Sequence, residues 1–529
     1  MSRRSYSFLF IAGIALHLFI ALMQTTPGYM DADYYFAGGL QLARREGFYE
    51  NFLWNYLDNP SGIPHPSHTY WMPLPSILAA LGMFFIGQKG FFGARVFFIL
   101  LASGVPLLTA YLTFTLTQKI SYARLAGILA LFGGFYTLYL SNTETFSPYM
   151  VLGALFVILL GPSRLQSSHW RSFTLGLLAG LMHLVRADGV LWLFAAFGLS
   201  VYEQLHSSRK LSIRWRDAVM HGFLTLSAYF CVMGFWFFRN IDLYGSFFSP
   251  ASGKAMWLTE YNDTYIYPAS QLTFSRWRQV NPDVHLLDRM DALWSNLKTV
   301  FAVQGEIFLS PMILAGLWGL RKDQRVRLGI IMWMITLFVM TIVFPYAGAR
   351  GGMLHSSAAV QPLLWAVVPL GLEKICRWAG GRRGWNVPQA VRVFGVGLVL
   401  LSVGFTTFLV QNRVIGSDYL HPIWTREYDR YLEAGKYLDQ ISDKAKAISM
   451  VNNPPGFYLA TGRPSIVIPY GSVDTVLSAA NRYGAVFLIL EENTTPQMMS
   501  FYSTPMVVAG LSPLFSGDGF QIYQITEKP

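Results

Sequence analysis

Long apolar runs recur along most of the chain, and they constrain its fold more than any other feature. Between residues 8 and 411, apolar runs of 15 to 26 residues follow one another, and about 20 apolar residues are enough for a helix to cross a bilayer. Charged residues make up 13% of the 529 residues, about half of the roughly 25% that is typical of soluble domains. This composition excludes a disordered chain, a coiled coil and an ordinary cytosolic enzyme. The sequence therefore predicts an all-α polytopic transmembrane bundle.

We place eleven spans on these runs. They lie near residues 8–23, 91–116, 122–141, 147–162, 172–185, 189–203, 218–238, 300–320, 328–345, 354–372 and 392–411. The first run follows Arg3 and Arg4 and could pass for a signal peptide, but no clear cleavage site follows it, so we interpret it as a retained span. Residues 73–88 are also apolar, but they are short and begin with Pro73 and Pro75. We interpret them as an interfacial or re-entrant segment, with a twelfth span as the alternative.

The basic residues predict the orientation of this bundle. Nineteen of the 40 Lys and Arg residues fall within 65 residues that we assign to the cytoplasmic side, in agreement with the positive-inside rule. These segments are 1–7, 117–124, 163–171, 204–217, 321–327 and 373–392. Because this placement explains the net charge of +11, we expect contact with the lipid bilayer and no binding of nucleic acid. The two cysteines, Cys231 in an apolar run and Cys376 in a basic loop, argue against a disulfide framework and against a zinc site built on them.

Three segments on the opposite, extracytoplasmic side are too long to be simple connections. Residues 24–72 form a first external loop, and residues 239–299 form a second large one. Residues 412–529 contain an amphipathic helix followed by short β-rich runs that are separated by turns. We therefore divide the chain into a transmembrane domain, residues 1–411, and a small C-terminal α/β domain, residues 412–529. We expect this domain outside a plasma (inner) membrane.

Acidic and basic side chains collect at the external ends of the predicted spans. Ionisable residues near a membrane are costly and are often functional, and here six separate loop ends carry them on one side. The candidates are Asp31, Asp33, Tyr35, His65, His68, Glu144, Arg186, Arg239, Arg350 and His355. Their common side predicts one shared polar site. Each also has a structural interpretation, because a loop acid can cap a helix, an interfacial arginine can contact lipid, and a loop histidine pair is more often structural than metal-binding.

The combination of residue types favours chemistry on a lipid phosphate. A carboxylate can act as a general base, and we assign this role to Asp31, with Asp33 as the nearby alternative. In a helix these two side chains would diverge by about 200°. Guanidinium groups suit a phosphate. We therefore assign donor-phosphate binding to a set of basic residues, Arg350, Arg186, Arg239 and His355. We assign binding of the acceptor or the sugar, or of a possible metal, to His65, His68, Glu144 and Tyr35.

Several segments, in their order along the chain, resemble motifs of the GT-C glycosyltransferases. Asp31-Ala-Asp-Tyr-Tyr and the following AGGLQLARREGFYE are similar to the acidic motif and helix of the first external loop. WMPLPSILAALGMFFIG, FFGARVFFILLASG, LAGLMHLVRADGVLW and FWFFRNIDLYGSFFSP resemble the segments that follow. The pattern is most similar to bacterial members akin to protein O-mannosyltransferases and lipid A aminoarabinose transferases, over about residues 1–411. The C-terminal domain resembles the external domains of some bacterial members.

This resemblance implies an enzyme that transfers a hexosyl or pentosyl unit from a polyprenyl-phosphate donor, with inversion, on the external face. It also implies that the first-loop acid, Asp31, is the base. The chain departs from the family where a second acid usually follows directly, because Ala32 stands there. Some members use a divalent metal and others do not, so the resemblance implies either no cofactor or a divalent metal such as Mg, Mn or Zn. The acceptor could be a protein, a lipid or a growing glycan.

Two other classes of function stay open at this stage. One is a transporter or flippase for a lipid-linked saccharide, and the other is a non-catalytic subunit or a ligase of surface polysaccharide. Transporters often contain internal repeats and broken helices near the middle of the membrane. The sequence has no recognisable repeat, and its charges gather at one face, so the transferase is favoured.

Overall fold

The computed structural model describes residues 3–161, 169–207, 210–443 and 447–526. The predicted cytoplasmic loops at 163–171 and 204–217 therefore lie in part outside the described residues. The helices up to the C-terminal domain are α1 (Arg3–Met23), α2 (Met30–Ala43), α3 (Leu74–Ile86), α4 (Phe91–Ala94), α5 (Val96–Thr117), α6 (Ile120–Leu131), α7 (Phe146–Leu159), α8 (His169–Val185), α9 (Val190–Leu205), α10 (Leu211–Tyr244), α11 (Pro250–Lys254), α12 (Phe274–Gln279), α13 (Pro282–Thr299), α14 (Ser310–Gly319), α15 (Gln324–Phe338), α16 (Pro345–Ala347), α17 (Met353–Ser356), α18 (Gln361–Arg383) and α19 (Val387–Val410).

Six helical stretches in the described residues are long and apolar enough to cross a membrane. They are Arg4–Met23, Phe91–Thr117, Leu211–Tyr244, Gln324–Val343, Pro345–Arg383 and Val387–Ile415. The apolar helices α3, α6 and α7 are shorter. The chain is thus a multi-pass membrane protein, and each of the eleven predicted spans contains a helix. With 13 residues, α3 is about 20 Å long, which is shorter than the roughly 30 Å hydrocarbon core and agrees with an interfacial or re-entrant position.

The bundle is held together by close approaches between its helices. Gly371 of α18 faces the backbone of Met312 in α14, and a β-carbon at Gly371 would lie only 1.8 Å from the Met312 carbonyl oxygen. Gly153 of α7 approaches Ala359 in the same way. Small residues of this kind let membrane helices pack by van der Waals contact where the lipid supplies no hydrophobic driving force. These contacts place the start of α18 beside α7, near the external loops.

The C-terminal domain is a small α/β unit, as predicted. Its helices are α20 (Arg426–Ile441), α21 (Pro454–Thr461), α22 (Val473–Tyr483) and α23 (Met499–Ser503). The strands of the whole chain are β1 (Tyr49–Glu50), β2 (Phe52–Leu53), β3 (His65–Pro66), β4 (Ile448–Val451), β5 (Ser465–Val467), β6 (Ala485–Glu491), β7 (Leu511–Gly517) and β8 (Phe520–Ile525). β1 pairs with β3, and the others form one six-stranded sheet with the order β2-β5-β4-β6-β8-β7.

One edge of this sheet comes from the first external loop. β2 pairs in parallel with β5, with Phe52 opposite Ser465 and Leu53 opposite Ile466. Tyr56 of the same loop donates a hydrogen bond to the Val467 carbonyl oxygen over 2.5 Å. The first loop is therefore part of the C-terminal sheet, although more than 400 residues separate the two in sequence. The division of the chain at residue 411 remains a proposal.

A buried amide also joins the C-terminal domain to α2. The side-chain nitrogen of Asn453 donates to Asp33 Oδ2 at 2.8 Å and to Glu427 Oε1 at 2.7 Å. Asn453 and Asp33 are each only 4% exposed, and burial together with the nearby Glu427 raises the pKa of Asp33. Because one amide pairs with two carboxyl groups, its loss would leave both without this donor. The amide therefore fixes α2 against the C-terminal domain.

We predict that Asn453→Ala destabilises the protein. Removing one partner of a buried hydrogen bond costs about 1–3 kcal/mol, so the melting temperature of the purified protein in a fixed detergent should fall. Asn452→Ala is the matched control, because its amide pairs with Asn493 near the surface. Substitutions of that kind usually change stability by less than about 0.5 kcal/mol. Equal melting temperatures for the two variants would contradict the bridging role of Asn453.

Candidate active site

A cavity of about 430 Å³ lies between α2, the second external loop and the segment that joins α15 to α18. Charged and aromatic side chains line it together. Prominent among them are Asp31, Tyr35, Arg186, Tyr261, Arg350 and His355. Cavities of this size are typical of small-molecule binding sites. The structure thus brings five of the ten predicted site residues to one cavity wall, and Glu144 lies directly behind His355.

A tight connection between α1 and α2 positions Asp31. Gly28 adopts φ 87°, and a β-carbon there would lie 2.3 Å from Nε1 of Trp424. Glycine is suited to both demands, since it adopts positive φ readily and leaves room for close contact. The Trp424 indole donates to the Thr26 carbonyl oxygen at 2.9 Å. Asp31 follows in the first turn of α2, where its side chain is half-buried in the cavity wall.

Asp31, Glu144 and His355 form an acidic cluster at one side of the cavity. His355 Nε2 lies 3.9 Å from Asp31 Oδ2, and His355 Nδ1 lies 3.5 Å from Glu144 Oε1. The imidazole stacks on Phe146 with ring centroids 4.3 Å apart. Each of the three residues offers one donor atom within 4.8 Å of the other two. Two carboxylate oxygens and an imidazole nitrogen are a donor set that a divalent metal accepts.

The two carboxyl groups of this cluster differ in acidity. Burial and the charge of Glu144 raise the pKa of Asp31 to about 6, although His355 and Arg186 act in the opposite direction. Burial also raises the pKa of Glu144, but the charge of His355 and hydrogen bonds from His355 and Thr145 outweigh it, so the net direction is downward. These opposite directions favour the charged form of Glu144. A pKa of about 6 places Asp31 in the range in which a carboxylate can act as a general base.

Two arginines supply positive charge at the same cavity. Arg186 Nε lies 2.9 Å from Asp188 Oδ1, and its Nη2 donates to Ser356 Oγ at 3.1 Å. Arg186 is thus held in place by Asp188 in the loop between α8 and α9 and by Ser356 at the end of α17. A guanidinium fixed in this way is preorganised to bind an anion.

Arg350 is more exposed than Arg186 and is less constrained. It lies in a kinked segment, Gly348–Gly352, in which Gly351 adopts φ 112°. Its guanidinium carbon lies 4.7 Å from the ring centre of Tyr261, and within the described ranges no carboxylate oxygen lies within 4.0 Å of it. Because a positive φ is rare outside glycine, the kink depends on Gly351. Arg350 therefore offers an exposed cation in the lining of the cavity.

Asp33 and Arg239 do not line this cavity. Since α2 is helical, Asp33 points away from Asp31 and pairs with Asn453 instead. Arg239 donates to the carbonyl oxygens of Ser67 and Phe48 at 2.7 and 3.3 Å and lies over the Trp236 ring. Both residues hold the first external loop in position. Their assignment to base and donor-phosphate binding lacks support from this geometry.

The two loop histidines also lie away from the cavity. His65 Nε2 is 2.7 Å from Asp58 Oδ2. His68 is 3% exposed, and its ring nitrogens lie 2.7 Å from Ser67 Oγ and 2.9 Å from Ser76 Oγ. These local pairs occupy Nε2 of His65 and both ring nitrogens of His68, which favours the structural interpretation of the two histidines over a role in binding the acceptor or a metal.

An aromatic wall at the cavity was not assigned to the site by sequence reasoning. Trp54 and Trp71 stack face to face, with ring centroids 4.1 Å apart, and Tyr70, Tyr261 and Tyr265 also line the cavity. The sequence signal for the part of this wall that comes from the second external loop is the density of tyrosines in YNDTYIYP. Aromatic faces of this kind provide apolar walls for ligand rings.

No family model and no curated protein matches this sequence. Solved structures do match it in three dimensions. ArnT from Cupriavidus metallidurans bound to undecaprenyl phosphate has a TM-score of 0.54 and 10% sequence identity, and the match covers 99% of each chain. ArnT in the apo state has a TM-score of 0.53 at 10% identity, with 97% of each chain covered.

A third solved structure extends this likeness. The Archaeoglobus fulgidus oligosaccharyltransferase in complex with Zn and sulfate has a TM-score of 0.56 at 11% identity, and the match covers 97% of this chain and 72% of that one. At such low identity, these matches concern the fold. The chain therefore has the GT-C fold, the architecture that its sequence motifs resemble.

Proposed function

We propose that this protein is a membrane glycosyltransferase that moves a sugar from a polyprenyl-phosphate donor to an acceptor on the extracytoplasmic face. The single observation that carries the proposal is the pairing, in one cavity, of Asp31 with the exposed cation of Arg350. The first can accept a proton and the second can hold a phosphate. The structural neighbours support the proposal, because one is bound to undecaprenyl phosphate and another is an oligosaccharyltransferase.

In the proposed reaction, Asp31 takes the proton of the acceptor hydroxyl as its oxygen attacks the anomeric carbon. The bond between that carbon and the donor's phosphate oxygen breaks on the opposite side of the ring, so the configuration inverts. The electron pair leaves with the polyprenyl phosphate, whose charge Arg350 and Arg186 neutralise. Fixed cations of this kind lower a barrier most when they face the charge that develops. Tyr35 and the aromatic wall would contact the sugar.

A divalent metal (Mg, Mn or Zn) fits the donor set of Asp31, Glu144 and His355. One structural neighbour was solved in complex with Zn. When bound, such an ion would supply positive charge to the donor's phosphate. Asp31 would then be a ligand, and its basicity would be lower. General base and metal ligand are therefore alternative roles of the Asp31 carboxylate. The pH dependence of the reaction with and without metal distinguishes them.

We predict that Asp31→Asn lowers sugar transfer by about 10²–10⁴-fold, the usual contribution of a general base. The measurement is loss of label from a panel of radiolabelled polyprenyl-phosphate sugars that are incubated with the purified protein. Asp33→Asn is the matched control on the same helix, and it should affect stability more than turnover because Asp33 pairs with Asn453.

Two results would contradict this assignment. Asp31→Asn could retain the turnover of the unchanged protein, or Asp33→Asn could be inactive at unchanged stability. The function itself would be contradicted if no donor in the panel lost its sugar while vesicles containing the protein moved a lipid-linked saccharide between leaflets. That outcome would favour the flippase alternative.

The pH dependence of transfer follows from the raised pKa of Asp31. A base is active when deprotonated, so the rate should rise with pH and level off above about 6, and it should fall about tenfold per unit below that value. The rate is measured between pH 4.5 and 8 at saturating donor. Adding Mn²⁺ should leave the acidic limb of this pH–rate profile in place if Asp31 is only a base. It should move that limb to lower pH if Asp31 becomes a metal ligand. A limb that persists in Asp31→Asn would assign the titration to another group.

A further inference from the structure

A second, larger cavity lies at the other end of the bundle. It has a volume of about 690 Å³ and lies between α6, α18 and α19. The α18 helix begins a few residues after His355 and reaches this groove at Glu373, 12 residues beyond its first residue Gln361. This distance corresponds to about 18 Å along the helix axis. The groove is therefore separate from the candidate active site, and the proposed transfer reaction does not use it.

Most of the groove is apolar, and its polar groups gather at one end. The apolar wall includes Leu125, Ile128, Val391, Val396 and Leu400. In a chain that crosses the membrane, this wall faces the hydrocarbon tails of lipids, since Val396 and Leu400 are 57% and 67% exposed. The shape therefore suits one long apolar chain with a polar head at a defined end.

The polar end carries an excess of positive charge. Glu373 accepts hydrogen bonds from Lys119 Nζ at 2.9 Å and from Arg377 Nη2 at 2.8 Å. Arg392 also lines the groove and is exposed, and among the described residues no carboxylate oxygen lies within 4.0 Å of its guanidinium. Three cations thus surround one anion. This end of the apolar groove therefore carries a net charge of +2, and Arg392 is the cation there that has no carboxylate partner among the described residues.

We propose that this groove binds an anionic phospholipid of the bilayer. The phosphate binds Arg392 and Lys119, and one acyl chain lies along the wall formed by Leu125, Val396 and Leu400. Basic pockets between membrane helices bind anionic head groups because each Lys or Arg adds attraction in this low-dielectric setting. A guanidinium binds phosphate through charge-assisted hydrogen bonds. A zwitterionic head group would leave the excess charge uncompensated, so the groove selects an anionic one.

The test is native mass spectrometry of the full chain in detergent, with phosphatidylglycerol or phosphatidylcholine added in increasing amounts. We expect phosphatidylglycerol to bind one site more tightly. Arg392→Gln should weaken that binding about fivefold, the loss expected for one cation near an anionic lipid, while Arg392→Lys should retain most of it. Arg321→Gln is the matched control, because Arg321 is another exposed basic residue of the predicted cytoplasmic loops and packs on Trp318 outside the groove.

A second variant tests the apolar part of the site. Val399→Trp fills the groove without changing its charge and should abolish the high-affinity site for phosphatidylglycerol. The proposal is overturned if the two phospholipids bind equally, if Arg392→Gln binds like Arg321→Gln, or if Val399→Trp leaves the affinity unchanged. It is also overturned if undecaprenyl phosphate displaces phosphatidylglycerol from this site at equal concentration, because the occupant would then be the donor lipid class.

Discussion

The candidate site depends on hydrogen bonds that hold the start of α2 against the loop before α7. Asn142 donates to the Pro27 carbonyl oxygen at 2.7 Å, and Thr143 donates to the Ala32 carbonyl oxygen at 2.9 Å. These bonds flank the two carboxyl groups, because Asp31 precedes Ala32 and Glu144 follows Thr143. Since buried backbone carbonyl groups require partners, the two segments stay together. Burial at this contact, together with the charge of Glu144, raises the pKa of Asp31.

The C-terminal domain supports the same arrangement from the outside. Trp424 lies against Gly28, Asn453 pairs with Asp33, and β5 pairs with β2. The domain therefore contacts the first external loop on both sides of the catalytic candidate. Loss of this domain would remove partners of α2 as well as any contact with an acceptor. A truncation at about residue 411 consequently tests folding of the first loop before it tests acceptor binding.

Much of the fold and part of the site could be predicted from the sequence. Apolar runs predict membrane helices because the bilayer imposes a length and a composition, and the positions of Asp31, Arg186, Arg350 and His355 at loop ends predict a common polar surface. Tertiary pairing could not be predicted in the same way. The two-residue strand β2 has no sequence signal of its own, since it is defined by a partner more than 400 residues away.

The roles of four predicted site residues also depend on tertiary contacts that the sequence does not reveal. His68 and Arg239 have the residue types of a binding site, but their partners are serine hydroxyls and backbone carbonyl groups of a folded loop. Only the folded loop reveals that these hydrogen-bonding groups are already paired. For Asp31 and Asp33 the deciding factor is the helical conformation of α2, which turns one carboxyl group towards the cavity and the other towards Asn453.

The proposed donor site is tested most directly by a structure of the protein in complex with undecaprenyl phosphate. We expect the lipid's phosphate in the 430 Å³ cavity, within hydrogen-bonding distance of Arg350 or Arg186 and on the side facing Asp31. Arg350→Ala, prepared in the same way, should show a weaker phosphate density at that position. A phosphate that binds elsewhere, for example beside Arg392 in the groove of α6, α18 and α19, while the cavity stays free of lipid, would contradict the proposed donor site.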